Sequence, residues 1–501
     1  MDAGSIAVAG RDMPDHARHR GPRARPRAPR WLLGASALLL LAGCQSFAPN
    51  ASVPLPPKFR GSRSTPAAAP SQTWVQGFGS GELNRLVTAA LAGNLDIEAA
   101  IARVNQAEAQ VVVASAPLFP FLGGTSDVSR RQLTGNTRSN TFGLGLTASY
   151  ELDLFGRTRY AVAAADQTAA AVRFDRDTVA LSTVALVSNA YFAVLSAQDR
   201  LRIAEDNLAI AGRVLDAVRG RLRVGTGTAL DTAQQESVVA TQRAAIPPLR
   251  QTLAQNRNLL AILIGRTPES ITVSGGSLDR LRLPEIRPGL PAQLLLRRPD
   301  IAREEANLAA AEANIGSARA AFFPSIQLTG SGGFQSAALR SLLGGGSAVY
   351  SLASGVTQPI LDNGILRGQF AFGQGRAAEF AASYRKAIIQ SLVDVENALV
   401  AVRETTEYET RQREAVAASR RALDITEQRL REGTVDVVTL FNIQTTLFGN
   451  QDALARVRLQ RFQAVVSLFQ ALGGGWSQPR AVVVARSPEP QPLSFDWQLR
   501  P

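Results

Sequence analysis

Residues 141–154 read TFGLGLTASYELDL, and the reading of the whole chain starts from how this stretch alternates. Phe142, Leu144, Leu146, Ala148, Tyr150, Leu152 and Leu154 are apolar, while Thr141, Gly143, Gly145, Thr147, Ser149, Glu151 and Asp153 are polar or glycine. Strict period 2 marks a strand with one apolar face and one wet face. At about 3.3 Å per residue the stretch reaches roughly 46 Å, or about 33 Å along a membrane normal at a tilt near 45°. That is long enough for a barrel strand to cross a bilayer, and the same pattern also suits a long strand in a soluble sandwich.

Outward from this strand, the chain proves to be two copies of one unit. RLRVGT at 221–226 recurs as RLREGT at 429–434, and Gly265, closing LLAILIG, falls on Gly473, closing SLFQALG. Near the front of each copy APLFP at 116–120 meets AAFFP at 320–324. A fixed offset over more than a hundred residues is an internal duplication. Each copy reads helix, strand, strand, long helix, turn, helix. The first helices are expected over about 81–115 and 300–320, with Pro120 and Pro324 marking entry into extended structure. The strand pairs are expected at about 121–133 with 141–154, and 325–335 with 349–360, where the apolar face keeps its parity but is degraded.

The long helices carry the strongest periodic signal. Val187, Val194, Leu201, Leu208, Leu215 and Leu222 are spaced by seven, as are Ala190, Ala197, Ala204, Ala211 and Val218. A sustained heptad with alanine on one seam means close coiled-coil packing. The second copy keeps Val395, Val402, Val416, Leu423 and Leu430, with Glu409 the one break. A continuous helix over 158–221 would be about 96 Å long at 1.5 Å per residue; a structure crossing a wide aqueous compartment needs that length, a compact domain does not. Pro247-Pro248 is expected to interrupt the returning helix with a kink, and the aperiodic stretch 267–296 reads as a belt joining the copies.

Composition narrows the chemistry. The formal net charge is +13, and setting aside the seven arginines and three aspartates before Cys44 leaves 47 basic and 38 acidic residues, a net of +9. This excess is scattered, with no basic run interleaved with aromatics beyond the N-terminus, which argues against nucleic acid. Both histidines, His16 and His19, precede Cys44, the sole cysteine. After it there is no Ser-His-Asp or Cys-His catalysis and no histidine or thiolate metal site. Carboxylate-only catalysis stays formally open, but regular heptads leave no long irregular loop to house it.

The N-terminus reads as a targeting segment. Arg18, Arg20, Arg23, Arg25, Arg27 and Arg30 precede the apolar run WLLGASALLLLAG at 31–43, too short to span a bilayer as a helix but suited to a signal-peptide core. Leu41-Ala42-Gly43-Cys44 resembles the bacterial lipoprotein box, which implies lipidation of Cys44; Gln45, rather than Asp, implies sorting to the outer membrane. Translation starts at Met1 or Met13. The Pro-, Ala- and Ser-rich stretch 48–71 reads as an extended tether. The expected organisation is therefore signal peptide 1–43, tether 44–80, first repeat 81–265, equatorial linker 266–297, second repeat 298–473 and tail 474–501. Four amphipathic strands cannot close a barrel, and hydrocarbon does not tolerate an open sheet edge, so several chains are expected to pool them.

At this point the chain resembles the TolC-like outer-membrane efflux factors, in particular their NodT-type lipoprotein branch. The carrying residues are the lipobox at Cys44, YELDLFG at 150–156, LLLRRPDIAREE at 294–305, IGSARAAFFP at 315–324, QPILDNG at 358–364 and the paired turns at Gly225 and Gly433. The resemblance implies a mainly α chain with a transmembrane β-barrel: a homotrimer with a twelve-stranded barrel continuous with a twelve-helix tunnel. It implies an exit duct, not an enzyme, with no cofactor beyond the lipid on Cys44. Its implied partners are a periplasmic membrane-fusion adaptor protein and an inner-membrane RND-type transporter, in an outer-membrane setting with a long periplasmic extension. By resemblance the hairpins at 221–231 and 429–442 bear the gate and the adaptor contacts. Gly225, Thr226, Gly433 and Thr434 become docking turns, and Asp231, Asp436, Val438, Thr439 and Asn442 become gate residues. Family members commonly carry aspartate at the position of Asn442 and sometimes at that of Thr439, so weaker cation selectivity is expected here, with Asp231 and Asp436 as nearby partial substitutes. The same architecture would also serve a channel for secreted polypeptides, and a lipid-anchored coiled coil without a pore is a further alternative.

Overall fold

The computed structural model describes residues 51–60, 73–133, 137–284 and 288–478, all within the unit 49–501. The expected signal peptide, Cys44 and the expected tail from 479 lie outside the described residues. In chain order the main elements are α1 (Gly81–Gly93), α2 (Leu95–Ser115), β1 (Phe121–Leu133), β2 (Thr137–Leu152), α3 (Arg157–Arg223) and α4 (Ala229–Ile264). The second half follows with α5 (Pro299–Ala320), β3 (Ser325–Ser336), β4 (Ala348–Thr357), α6 (Ile365–Arg431) and α7 (Val437–Ala471). The belt between the halves carries short 3-10 turns at Pro268–Ser270, Leu278–Arg280 and Pro291–Leu296.

The duplication is therefore physical: α2 through α4 repeat as α5 through α7, and both long helices contain 67 residues, about 100 Å at 1.5 Å per residue. The alanine seam of α3 is buried, with Ala190, Ala197, Ala204 and Ala211 all in the core. The large-residue seam packs at Val187, Val194 and Leu215 and, in the second copy, at Val395, Leu423 and Leu430. Each long helix lies along its return partner, α3 with α4 and α6 with α7, and α3 also packs on α7. One core gathers where the belt and a 3-10 turn at Trp74–Phe78 meet these helices. Trp74 stacks on Phe469 at 4.6 Å, while Phe78 meets Phe192 and Phe192 meets Phe462, each at 4.9 Å.

Three local expectations are corrected. The single helix expected over 81–115 is two helices. Asn94 adopts extended backbone and caps α2, its Oδ1 accepting from the N–H of Asp96 and of Ile97 at 3.0 Å each. Its Nδ2 donates to the Leu263 carbonyl at 2.8 Å, which ties the break to the end of α4. Asparagine favours such caps because its side chain competes with the helical backbone. Pro247-Pro248 does not interrupt α4, which runs on through both residues. The strand boundaries also move. β2 begins at Thr137 rather than 141, and β4 stops at Thr357 rather than 360, just before Pro359, which has no N–H for a ladder.

The four strands form one antiparallel sheet in the order β1-β2-β3-β4. The register pairs Val128 with Phe142, Leu144 with Phe334, and Gly332 with Tyr350. Cross-strand partners share a face, so the even-numbered apolar residues of β2 continue across the sheet through Phe334 and Leu328 to Tyr350, Leu352 and Val356.

Candidate functional site: the open sheet and the hairpin tips

One face of the sheet carries Phe142, Leu144, Leu146, Tyr150, Leu328, Leu352 and Val356; the other is mostly Gly, Ser, Thr and Gln with Asp127 and Glu151, interrupted by Phe121 and Val349 toward its ends. Leu144, Leu146, Tyr350, Leu352 and Val356 are exposed. From Phe142 to Leu152 the apolar band spans about 23 Å at a 45° tilt, close to the roughly 25 Å band of outer-membrane barrels. Among the described residues, only one side of β1 and of β4 is paired, which leaves two ladders of unbonded N–H and C=O groups. Such edges invite pairing with another chain, and in hydrocarbon they demand it.

Strand turns into helix at a fixed joint. Asp153, just past β2, accepts from the Arg159 backbone N–H at 2.9 Å and from its Nε at 3.3 Å, which anchors the first turn of α3. In the second copy Asp362 accepts from Gly364 N at 3.2 Å and Leu366 N at 2.8 Å at the start of α6.

At the far ends of the long helices the two hairpin turns are near copies in their hydrogen bonds. Gly225 N donates to the Leu222 carbonyl and Gly433 N to that of Leu430, both at 3.1 Å. Thr226 N meets the Arg221 carbonyl at 2.9 Å, and Thr434 N that of Arg429 at 3.0 Å. Gly225 has φ +78° and Gly433 φ +74°, the left-handed conformation that reverses a chain after a helix and that glycine adopts without strain. Beneath the tips Val214, Val218, Val238, Leu423, Leu430, Leu440 and Phe448 close the core of all four helices.

The candidate gate residues divide into two groups. Asp231 and Asp436 are helix caps. Thr228 Oγ1 accepts from Asp231 N at 3.1 Å while Asp231 Oδ2 accepts from Thr228 N at 2.9 Å, a reciprocal capping box opening α4. Asp436 Oδ1 accepts from Thr439 N at 2.7 Å at the start of α7, and the bonds from Thr439 hold its carboxyl below the ordinary range. Val438 and Asn442, one helical turn apart, lie with Thr439 on the exposed side of α7, opposite buried Val437 and Leu440. The structure thus brings Val438, Thr439 and Asn442 onto one surface and commits both aspartates to backbone bonds.

Three sets of contacts were not visible in the pattern, although one of their residues was. Arg221 Nη1 donates to the Leu430 carbonyl at 2.9 Å and joins the two tips within one chain. Gln235 and Gln444, both fully buried, pair through Nε2 and Oε1 at 3.3 Å between α4 and α7. Glu409 is buried and ion-paired to Arg413, Arg458 and Arg461. Only Glu409 had announced itself, as a break in the heptad.

Comparison with known proteins agrees with this geometry. The family model described as outer membrane efflux protein matches residues 86–266 and again 290–474, one match on each half of the duplication. The pyoverdine export outer membrane protein OpmQ of Pseudomonas aeruginosa is 38% identical over 462 residues, 89% of this chain and 97% of that protein. The probable outer membrane lipoprotein SilC of Salmonella typhimurium is 32% identical, over 89% of this chain and 98% of its own. Among solved structures, the open state of the Neisseria gonorrhoeae MtrE outer membrane channel superposes with a TM-score of 0.78 at 30% identity, over 85% of this chain and 96% of that one. With the family model matched on both halves and relatives aligned over nearly their whole length, this chain is a member of the outer membrane efflux protein family.

Proposed function

We propose that three copies of this chain close a twelve-stranded barrel in the outer membrane, continuous with a twelve-helix tunnel reaching into the periplasm. The observation that carries this reading is the four-stranded sheet with two unpaired edges and one apolar face, fused to helices about 100 Å long. The chain is an outer-membrane efflux channel, and its substrates are small molecules. It catalyses nothing. A periplasmic adaptor docks at the Gly225-Thr226 and Gly433-Thr434 turns, and an inner-membrane RND-type transporter supplies the energy. Cys44 carries the lipid anchor.

Native mass spectrometry of the detergent-extracted protein, with single-channel recording in planar bilayers, tests the core of this proposal. A trimer that conducts supports it; a monomer, or a trimer without conductance, sinks it. Deletion with paired drug-susceptibility and secretion assays separates efflux from polypeptide export, and metabolic labelling with palmitate, lost in Cys44→Ser, tests the anchor.

A further inference from the structure

The duplication places an incomplete contact at the tip of each chain. Arg221, half-buried at the end of α3, donates Nη1 to the Leu430 carbonyl at the end of α6. Its counterpart by the repeat is Arg429, which is exposed and makes no side-chain bond among the described residues. The counterpart of the acceptor is the Leu222 carbonyl, which receives the turn bond from Gly225 N, as the Leu430 carbonyl does from Gly433 N, but receives no guanidinium among the described residues. The side chains tell the same story: Leu430 is 6% exposed and Leu222 38%.

A second comparison, higher on the helices, is independent of these residues. Phe192 on α3 is fully buried against Phe462 of α7, whereas its repeat counterpart Val400 on α6 is 44% exposed, and Val393, one repeat on from buried Ala185, is 42% exposed. The face that α3 buries against α7 is left open on α6, as though the helix that should cover it belonged to another molecule.

In a ring where first and second repeats alternate, the step from first to second lies within a chain, and the step from second to first lies between chains. We propose that Arg429 of one protomer donates to the Leu222 carbonyl of the next, completing the contact that Arg221 makes to Leu430 internally, and that Val393 and Val400 pack on the neighbour's α4. Six arginine-to-carbonyl bonds then tie the six hairpin tips of the assembly, three within chains and three between them. The acceptor is one of the last carbonyls of a helix, where the backbone is short of donors and the dipole favours a cation. The inference rests on the trimeric reading above and adds the residues that join one copy to the next.

Cys44 is the only native cysteine, and the lipid proposed above occupies its sulfur, so the introduced cysteines supply the only free thiols; each single-cysteine variant, run alongside, checks this. Leu222→Cys/Arg429→Cys, treated in membranes with a short bismaleimide, is expected to shift from monomer to dimer and trimer bands on denaturing gels. Arg221→Cys/Leu430→Cys is expected to link within the chain and remain at monomer mass. Arg429→Met is expected to weaken subunit association about tenfold per interface, the scale of one hydrogen bond to a charged group, whereas Arg221→Met leaves it unchanged. A trimer seen by native mass spectrometry that gives no 222–429 link, or whose dissociation responds equally to both methionine variants, overturns the contact. The absence of any trimer overturns the assembly reading on which it rests.

Discussion

Arg461 donates Nη1 to Glu409 Oε2 at 2.8 Å across the α6–α7 hairpin, in the heptad seam where the first repeat places Leu201. Arg458 and Arg413 hold the other carboxylate oxygen at 3.1 and 2.6 Å, and Arg458 reaches on to Asp279 in the belt at 2.7 Å. A charge inside a coiled-coil seam is tolerated because three cations surround it, and those cations tie the hairpin to the belt.

Removing that charge strands the arginines. Arg458 is nearly buried, while Arg461 and Arg413 are progressively more exposed, so the loss falls below that of a fully buried pair. Glu409→Gln is expected to cost on the order of 2–3 kcal/mol, read as a lowered unfolding midpoint by circular dichroism. Burial alone pushes the Glu409 carboxyl up, and the bonds from Arg461 and Arg458 with the charge of Arg413 outweigh it and hold the group below its ordinary 4.5. A depressed folded-state value means the stabilisation is complete above pH 4.5 and is lost as pH falls through the lower folded value. The gap between wild type and Glu409→Gln is therefore expected to be constant near neutral pH and to shrink in acid; a gap independent of pH down to 3 contradicts the assignment.

The two faces of β2 answer differently to charge. Leu146 lies midway along the apolar band and Thr147 is its neighbour on the opposite face. Leu146→Arg is expected to destabilise the inserted barrel by about 2–4 kcal/mol per copy, as arginine does at a bilayer midplane, while Thr147→Arg alters only the lumen. Heat-modifiable gel migration and membrane yield report the first, and single-channel conductance the second. Equal tolerance of both changes means this face does not meet lipid.

Much of this was legible beforehand because it depends on period. Alternation in 141–154 named the strand and its apolar face, and the sevenfold spacing from Val187 to Leu222 named the long helix and its seam. What stayed hidden depends on partners distant in sequence. Asn94 reads as an ordinary helical residue until the Leu263 carbonyl 169 positions away claims its amide. Arg221 acquires its role only when the second hairpin arrives with Leu430. Asp231 was open to better reading, since Thr228 three residues before it spells a capping box, and that local bond weighs against a free luminal carboxylate.

The turn glycines separate folding from docking. A Cβ at Gly225 or Gly433 would meet no atom of the described residues within 4 Å, so substitution costs only the left-handed backbone, roughly 1–2 kcal/mol per site. Gly225→Ala/Gly433→Ala is expected to leave the trimer and its conductance intact while reducing capture of the adaptor in a pull-down. Undiminished capture would show that the adaptor does not read these turns.

Ion selectivity at the tip follows from Asn442. It lies exposed on α7 with Val438, while Asp436 spends one carboxylate oxygen on the Thr439 N–H. In the proposed trimer three neutral amides would face one another, giving weak preference for cations. Asn442→Asp would place three carboxylates together, and like charges at close range raise one another's pKa. The variant is therefore expected to shift the reversal potential under a KCl gradient toward the cation limit at pH 8 and to lose part of that shift by pH 5, as the raised carboxyls take up protons. The wild type is expected to show little of either, because an amide does not titrate. Strong cation selectivity in the wild type that disappears in Asn442→Ala would overturn this account, since it would require Asn442 to organise a charge that its own side chain does not carry.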